Sequence, residues 1–457
     1  MKSKVIAAAA AIAASATVAH AADLNKPAKV AVDYVKVCDA YGAGFFYIPG
    51  SDTCLKIGGY VYTGFEYGVS NSVRTKQGTG ATLGNLYGGN YASSRGTNTT
   101  GTYARGYVSF DARSNTQYGL LRSFFGANTT LGSSSTNAAV TYVRLDAAYI
   151  QFAGLTAGRA PSMFGFYGSD VFDQNFGQIS DTVNTNLIAY TASFGNGVTA
   201  SLSLEDPTTS DNLASNATNA QASFRRNGYT FNYGALNAPD VVANLDVLQA
   251  WGHARLGVVA HQVYGAVATP ATKWGFAVEG TVLVNLPQLG TGDTIGLTAA
   301  YGQGANGYVN GAGQYNGNFT PSAGNTDIGA DATWSPAAGL KLTRAWSVFG
   351  GLTHNFSPNW ELDTAVGYEN VNNGGSGVNG LAAANIAGGV GTGNNNFSFG
   401  QTEASAVLKW KPVTGFYVAP YVEFRNVNFS SATVANYQLL TKNATAVNYG
   451  LRVRRDF

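Results

Sequence analysis

Lys273-Trp274-Gly275-Phe276-Ala277-Val278-Glu279-Gly280-Thr281-Val282-Leu283-Val284-Asn285-Leu286 is a stretch with two unlike faces. Trp274, Phe276, Val278, Val282, Val284 and Leu286 share one phase, and Lys273, Glu279, Thr281 and Asn285 fall on the other. A period of two marks an extended strand, whose successive side chains point to opposite sides. The alternation recurs upstream, where Val198, Ala200, Leu202 and Leu204 oppose Thr199, Ser201, Ser203 and Glu205. It recurs downstream, where Trp360, Leu362, Val366 and Tyr368 oppose Glu361, Asp363 and Glu369. Strands of soluble sandwiches usually have ~5–6 residues, whereas many of these segments approach the ~9–11 that a tilted strand needs to cross a bilayer.

Composition points the same way. Charged residues make up 11% of the chain, against roughly 25% in ordinary soluble domains. Beyond residue 21 no uninterrupted apolar run comes near the ~18 residues of a spanning helix. A closed barrel is the other structure that satisfies every backbone group in lipid. Mean hydropathy close to zero fits, because lipid-facing and lumen-facing residues average out along each strand. Seventeen candidate strands run from 54–68 to 444–457. A bacterial single-chain barrel has an even number, and 327–338, which runs into Trp334-Ser335-Pro336, is the one to demote. The expected fold is all-β: one 16-stranded antiparallel transmembrane β-barrel, wide enough to enclose an aqueous channel. Asn196-Gly197, Gly252, Ser357-Pro358 and Val413-Thr414-Gly415 read as tight reversals between long Gly/Asn-rich connections. Trp251, Trp360 and Trp410 fall beside these reversals, as one interfacial aromatic belt requires.

The start of the chain fixes the compartment. Lys2 and Lys4 precede an Ala-rich apolar run ending at Ala19-His20-Ala21, which predicts a signal peptide over 1–21 and a mature chain from Ala22. Removing the two lysines takes the basic count from 27 to 25, against 25 acidic residues, so the mature chain is formally neutral. That excludes the strongly basic surface expected of a nucleic-acid partner. Cys38 and Cys54, in an N-terminal segment over 22–53, are the two cysteines of an exported chain, and Ile48-Pro49-Gly50 supplies a turn between them. A disulfide is expected. The barrel then occupies 54–457.

Cofactor and metal chemistry find no support. Gly302-Gln303-Gly304-Ala305-Asn306-Gly307 has a dinucleotide-like glycine spacing, but no helix follows to present its amides. His253, His261 and His354 lack partners at zinc spacing, and no calcium-loop pattern occurs. His354 with Ser347 or Ser357 is the one nucleophile–base pairing that can be assembled, and His354 shares phase with lipid-facing Leu352 and Phe356. No enzyme is expected.

One connection stands apart. Residues 163–185 carry Phe164, Phe166, Tyr167, Phe172 and Phe176 together with Asp170, Asp173 and Asp181. So many aromatic rings argue for a packed loop rather than a solvated one, and an inward-folded constriction loop is expected. By strand phase Lys56, Arg105, Arg113, Arg144, Arg452 and Arg454 point into the lumen, joined by Arg122 and Arg159. Acids facing such a basic wall would set a transverse field across the narrowest section.

The stretch Val37-Cys38-Asp39-Ala40-Tyr41-Gly42-Ala43-Gly44-Phe45-Phe46-Tyr47-Ile48-Pro49-Gly50-Ser51-Asp52-Thr53-Cys54-Leu55-Lys56-Ile57-Gly58-Gly59-Tyr60-Val61 resembles the opening of the alphaproteobacterial general porins, and Arg455-Asp456-Phe457 is similar to their closing strand. The resemblance implies a homotrimeric porin of the outer membrane, set in lipid and lipopolysaccharide, that passes small hydrophilic solutes and ions without a cofactor. It also implies a third outer loop folded inward. Leu155-Thr156-Ala157-Gly158-Arg159-Ala160 is too short and small to show lipid an apolar band of ~25 Å, so a neighbouring subunit is expected there. A solute-specific channel for sugars or organic acids is the main alternative, marked by an aromatic slide or saturating conductance. An outer-membrane barrel enzyme is a lesser one.

Overall fold

The computed structural model describes residues 36–70, 73–74, 82–83, 100–132, 143–166, 184–209, 236–264, 272–309, 331–335, 339–372, 398–431 and 442–457. Sixteen strands form the wall: β1 (Cys54–Ser70), β2 (Thr100–Thr116), β3 (Gly119–Gly132), β4 (Arg144–Phe152), β5 (Leu155–Pro161), β6 (Asn184–Gly195), β7 (Val198–Asp206), β8 (Asp240–Gln249), β9 (Gly252–Tyr264), β10 (Thr272–Asn285), β11 (Thr294–Gln303), β12 (Arg344–Ser357), β13 (Trp360–Asn372), β14 (Phe399–Val413), β15 (Phe416–Phe429) and β16 (Asn443–Asp456). Each pairs antiparallel with the next. β1 and β16 close the ring in register from Tyr60↔Asp456 to Ser70↔Ala446. Ala332–Ser335, inside the demoted segment 327–338, is extended but pairs with Gly339–Leu342 in a hairpin of its own.

Short turns gather at one end. Ala153-Gly154 and Asn196-Gly197 put both central residues at positive φ (49° and 88°, 50° and 73°), the geometry that suits the twist of a two-residue hairpin. The opposite end carries the long connections. Short turns mark the periplasmic end of such barrels.

Burial is inverted relative to a soluble protein. On β7, Leu202 is 58% exposed on the outer face while Glu205 is 1% exposed on the inner. Trp360 stands opposite Trp410 at the short-turn rim, with Trp251 in a turn at the same end. Trp274 and Trp346 are exposed toward the other end. Trp346 and Phe356 lie on one face of β12. At about 3.3 Å per residue and a tilt of roughly 40°, their separation across the bilayer is near the ~25 Å apolar band.

Tyrosines crowd the inner face of the first and last strands, and glycines opposite make room for them. A Cβ at Gly64 would stand 2.6 Å from the Tyr103 ring, and one at Gly450 2.6 Å from the Tyr421 hydroxyl. Gly64→Val should therefore destabilise the barrel by about 1–3 kcal/mol through overpacking. A lowered urea midpoint followed by tryptophan fluorescence would show it, and an unchanged midpoint would mean that the Tyr103 ring yields freely.

Candidate functional site

After Pro161 the chain leaves the wall and turns inward. Ser162 Oγ donates to Glu205 Oε2 at 2.7 Å, and the Met163 amide donates to Glu205 Oε1 at 2.9 Å. Asn244 Nδ2 donates to the Met163 carbonyl at 2.5 Å, and Arg255 Nη1 to the Gly165 carbonyl at 2.8 Å. The backbone of Phe164 passes so close to β9 that a Cβ at Gly257 would lie 2.0 Å from the Phe164 carbonyl oxygen. A segment without strand partners must satisfy its amides and carbonyls elsewhere. Here side chains of β7, β8 and β9 do so.

Its aromatic rings are seated as well. Phe164 is 1% exposed and meets Tyr308 edge-on at 5.0 Å. Phe166 stacks on His253 at 3.6 Å, lies under the Arg255 guanidinium at 5.4 Å and packs against Phe349 and Ala365. Asp246 holds both Arg255 Nε, at 2.5 Å, and His253 Nε2, at 2.8 Å. Residues 162–166 thus cross the inner wall from β5 toward β12 and β13. Asp170, Asp173 and Asp181 lie outside the described residues, further along the same connection.

The basic side is built from β1 to β4 and β16. Cross-strand register puts Lys56 level with Asp111 and Arg113 level with Arg122, in phase with the buried Tyr62 and Tyr103. Arg144, opposite Asn128, and Arg452 and Arg454, opposite Gly64 and Tyr62, share that inner face. Asp111 forms ion pairs with Arg113 at 2.7 Å and with Arg122 at 2.9 Å. Arg105 donates to Thr130 Oγ1 at 2.6 Å and stands over Tyr62 at 5.3 Å. Arg454 lies over Tyr60 at 4.0 Å and pairs with Asp456 at 2.8 Å.

Arg159 is a correction to the expected lumen set. Its register partners Ala148 and Asn186 are outward, in phase with Ile188 and Tyr190. The side chain is 7% exposed and donates to the carbonyls of Asp146, at 3.0 Å, and Thr209. Sequence phase missed Asp111, Asp246, Asn244 and Arg255 as members of the site. Asp111 shares the phase of Arg113 two residues on, which is the signal that could have found it.

Of the two serines considered with His354, Ser347 lies apart from it, whereas Ser357 is at the same end of β12. Ser347 Oγ donates to the Val309 carbonyl at 2.7 Å, toward the long-loop end of β12, while His354 Nδ1 sits 2.5 Å from Asp293 Oδ2 near the other end. The Asn355 amide, donating to Asp293 at 2.8 Å, and then His354 hold that carboxyl below the usual carboxylate range. Among the described residues no group of three His, Cys, Asp or Glu could hold a metal ion.

A closed sixteen-strand barrel with a charged interior and a segment folded into it is an outer-membrane channel. The porin subfamily profile matches residues 23–449, and the chain belongs to that family. It is 28% identical over 406 residues to porin Omp2b of Brucella neotomae, covering 85% of this chain and 98% of that one. It is 31% identical over 290 residues to porin Omp2a of Brucella ovis, 62% and 74% of the two chains. The putative outer membrane protein y4fJ of Sinorhizobium fredii is 39% identical over 127 residues, 28% of this chain and 33% of its own length. Among solved structures, the outer membrane channel DcaP of Acinetobacter baumannii matches with a TM-score of 0.58 at 13% identity, over 90% of this chain and 99% of DcaP, a likeness of fold.

Arg255 joins wall, loop backbone and loop aromatic ring. Arg255→Met should leave a folded channel whose open-state current is noisier, with stability lowered by about 1–3 kcal/mol from the carbonyl and carboxylate left short of a partner. Quiet single-channel records and an unchanged unfolding midpoint would remove Arg255 from that role.

Proposed function

We propose that the protein is a water-filled passive diffusion channel for small hydrophilic solutes and ions, narrowed by residues 163–185 and working as a homotrimer. The fastening of 162–166 to β7, β8 and β9, across the lumen from the basic wall, carries this reading. This reading gives Asp170, Asp173 and Asp181, outside the described residues, the role of the acids that oppose Lys56, Arg105, Arg113, Arg122, Arg144, Arg452 and Arg454. A unit charge pair at 4 Å is worth on the order of 4 kcal/mol at an effective dielectric near 20. A few charges at the narrowest section therefore outweigh the neutral total. Asp111 already offsets part of the basic set.

The general-channel reading is favoured over a sugar-specific one by the condition of the wall aromatics. Tyr60 and Tyr107 stack at 5.1 Å and Phe124 and Tyr149 at 5.2 Å, but Arg454 and Arg122 lie over these rings. Faces so covered offer a passing sugar little to stack on.

The homotrimer rests on β4 and β5. β5 has seven residues, about 23 Å at 3.3 Å each before tilt, short for the lipid-facing band. Beside it Leu145, Ala148, Gly158, Ile188, Leu204 and Pro239 line an outward recess of ≈ 550 Å³. A second copy covers this face, and lipid and lipopolysaccharide cover the rest.

Changing Asp170, Asp173 and Asp181 together to Asn should move the reversal potential toward anions. Arg105, Arg113 and Arg144 changed to Gln should move it toward cations. Both shifts should shrink between 0.1 M and 1 M salt as the screening length falls from about 10 Å to about 3 Å. If the Asp set changes nothing at low salt, the loop is not the constriction. For assembly, native mass spectrometry should find trimer for the wild type and monomer for Ala157→Trp, which puts an indole on the outer face of β5; monomer for both would overturn the homotrimer.

A further inference from the structure

The short-turn end carries a feature that the channel reading leaves unused. β16 stops where Phe457 exchanges backbone hydrogen bonds with Gly59, at 3.0 and 3.1 Å, so the edge of β1 below Gly59 has no partner from β16. Phe46-Tyr47 takes that edge, pairing with Leu55 and Cys54, and Val37 bridges to Phe46. Between these two short extended pieces the chain makes a loop, 38–45, that turns to the lumen side.

Four observations fix that side. Cys54 lies in the phase of Lys56, Tyr60 and Tyr62, the inner face of β1, and its sulfur is bonded to Cys38. Phe45 is 4% exposed, with the Arg113 guanidinium over its ring at 4.9 Å and the Lys56 ammonium at 5.9 Å. Tyr41 meets Phe45 edge-on at 5.9 Å and receives Arg113 on its own ring at 5.9 Å. Gly44, at φ 88°, rides so close to Lys56 that a Cβ there would be 3.4 Å from Lys56 Cε.

We propose that the loop Cys38–Phe45 is a second selectivity element of the channel, at its periplasmic exit, and that Tyr41 and Phe45 are its specificity-determining residues. This rests on the channel reading. The rings cover the Arg113 guanidinium and lie against Lys56, whose side chain stays exposed, and so reduce the pull on anions leaving or entering there. Contacts between a ring and a cation are individually weak beside the entropy of ordering a loop in a water-filled mouth. The Cys38–Cys54 bond removes that freedom covalently and keeps the rings on their cations while solutes pass.

The test uses the full-length folded protein in planar bilayers with a gradient of low potassium chloride. Tyr41→Ser with Phe45→Ser, disulfide intact, should raise the unit conductance and shift the reversal potential toward chloride. Adding Lys56→Gln and Arg113→Gln to that pair should cancel the shift. In the wild type reduced by tris(2-carboxyethyl)phosphine, a charged methanethiosulfonate reagent should lower the current in steps, because reduction frees the loop and opens Cys54, buried while it is bonded to Cys38, to the lumen. Folding is checked by heat-dependent migration on gels. If the double serine variant folds and keeps the wild-type conductance and reversal potential, the proposal is overturned. Should that variant fail to fold, an unaltered current in the reduced, reagent-treated wild type overturns it instead. A wild type that conducts nothing would sink the channel reading itself, a separate outcome.

Discussion

Hydrocarbon offers no partner to a backbone amide or carbonyl, and each one left unpaired there costs several kcal/mol. Closure of β1 on β16 meets that constraint, since among the described residues every strand of the wall then has a hydrogen-bonded neighbour on each side. Once the wall is closed, one face of every strand belongs to lipid and the other to the lumen. Charge then has one place to go. Lys409 reaches Asp363 at 2.6 Å and Glu361 at 3.0 Å, and Arg425 reaches Glu403 at 2.5 Å, all turned inward. Glycine serves the same closure, because Gly64 and Gly450 let the Tyr103 and Tyr421 rings lie flat against neighbouring strands instead of pushing the wall apart.

The same accounting of backbone groups governs the chain that leaves the wall. Residues 162–166 give up strand partners and must be bonded by side chains, and Glu205, Asn244 and Arg255 supply those bonds from three different strands. The anchors make residues 162–166 a fixed part of the wall. At the periplasmic rim beside β1 a disulfide does for 38–45 what polar anchors do for 162–166.

Much of the fold was legible because its physics is local. Val198 to Glu205 alternates because its two faces meet different solvents, and Asn196-Gly197 turns because both residues tolerate positive φ. Demoting 327–338 rested on strand parity, and Ala332–Ser335 does pair outside the wall. Arg159 was misread for an equally local reason: Leu155–Pro161 has small residues on both faces, so neither phase is marked apolar and the register alone decides the side. The loop anchors were hidden differently. Met163 and Gly165 accept through backbone carbonyls, and their donors lie about eighty to ninety residues away in the chain. No side-chain pattern records such a bond. Asp111 is readable beside Arg113, whose phase it shares.

The central claim is a permanently open, water-filled path that sorts solutes by size and charge rather than by affinity. Swelling of liposomes carrying the purified protein measures this directly, using neutral sugars of increasing mass at equal osmotic strength. The account predicts entry that is linear in solute concentration and falls steeply with size. Swelling no faster than in protein-free liposomes, or entry that saturates for one sugar and not for others of its size, would contradict it.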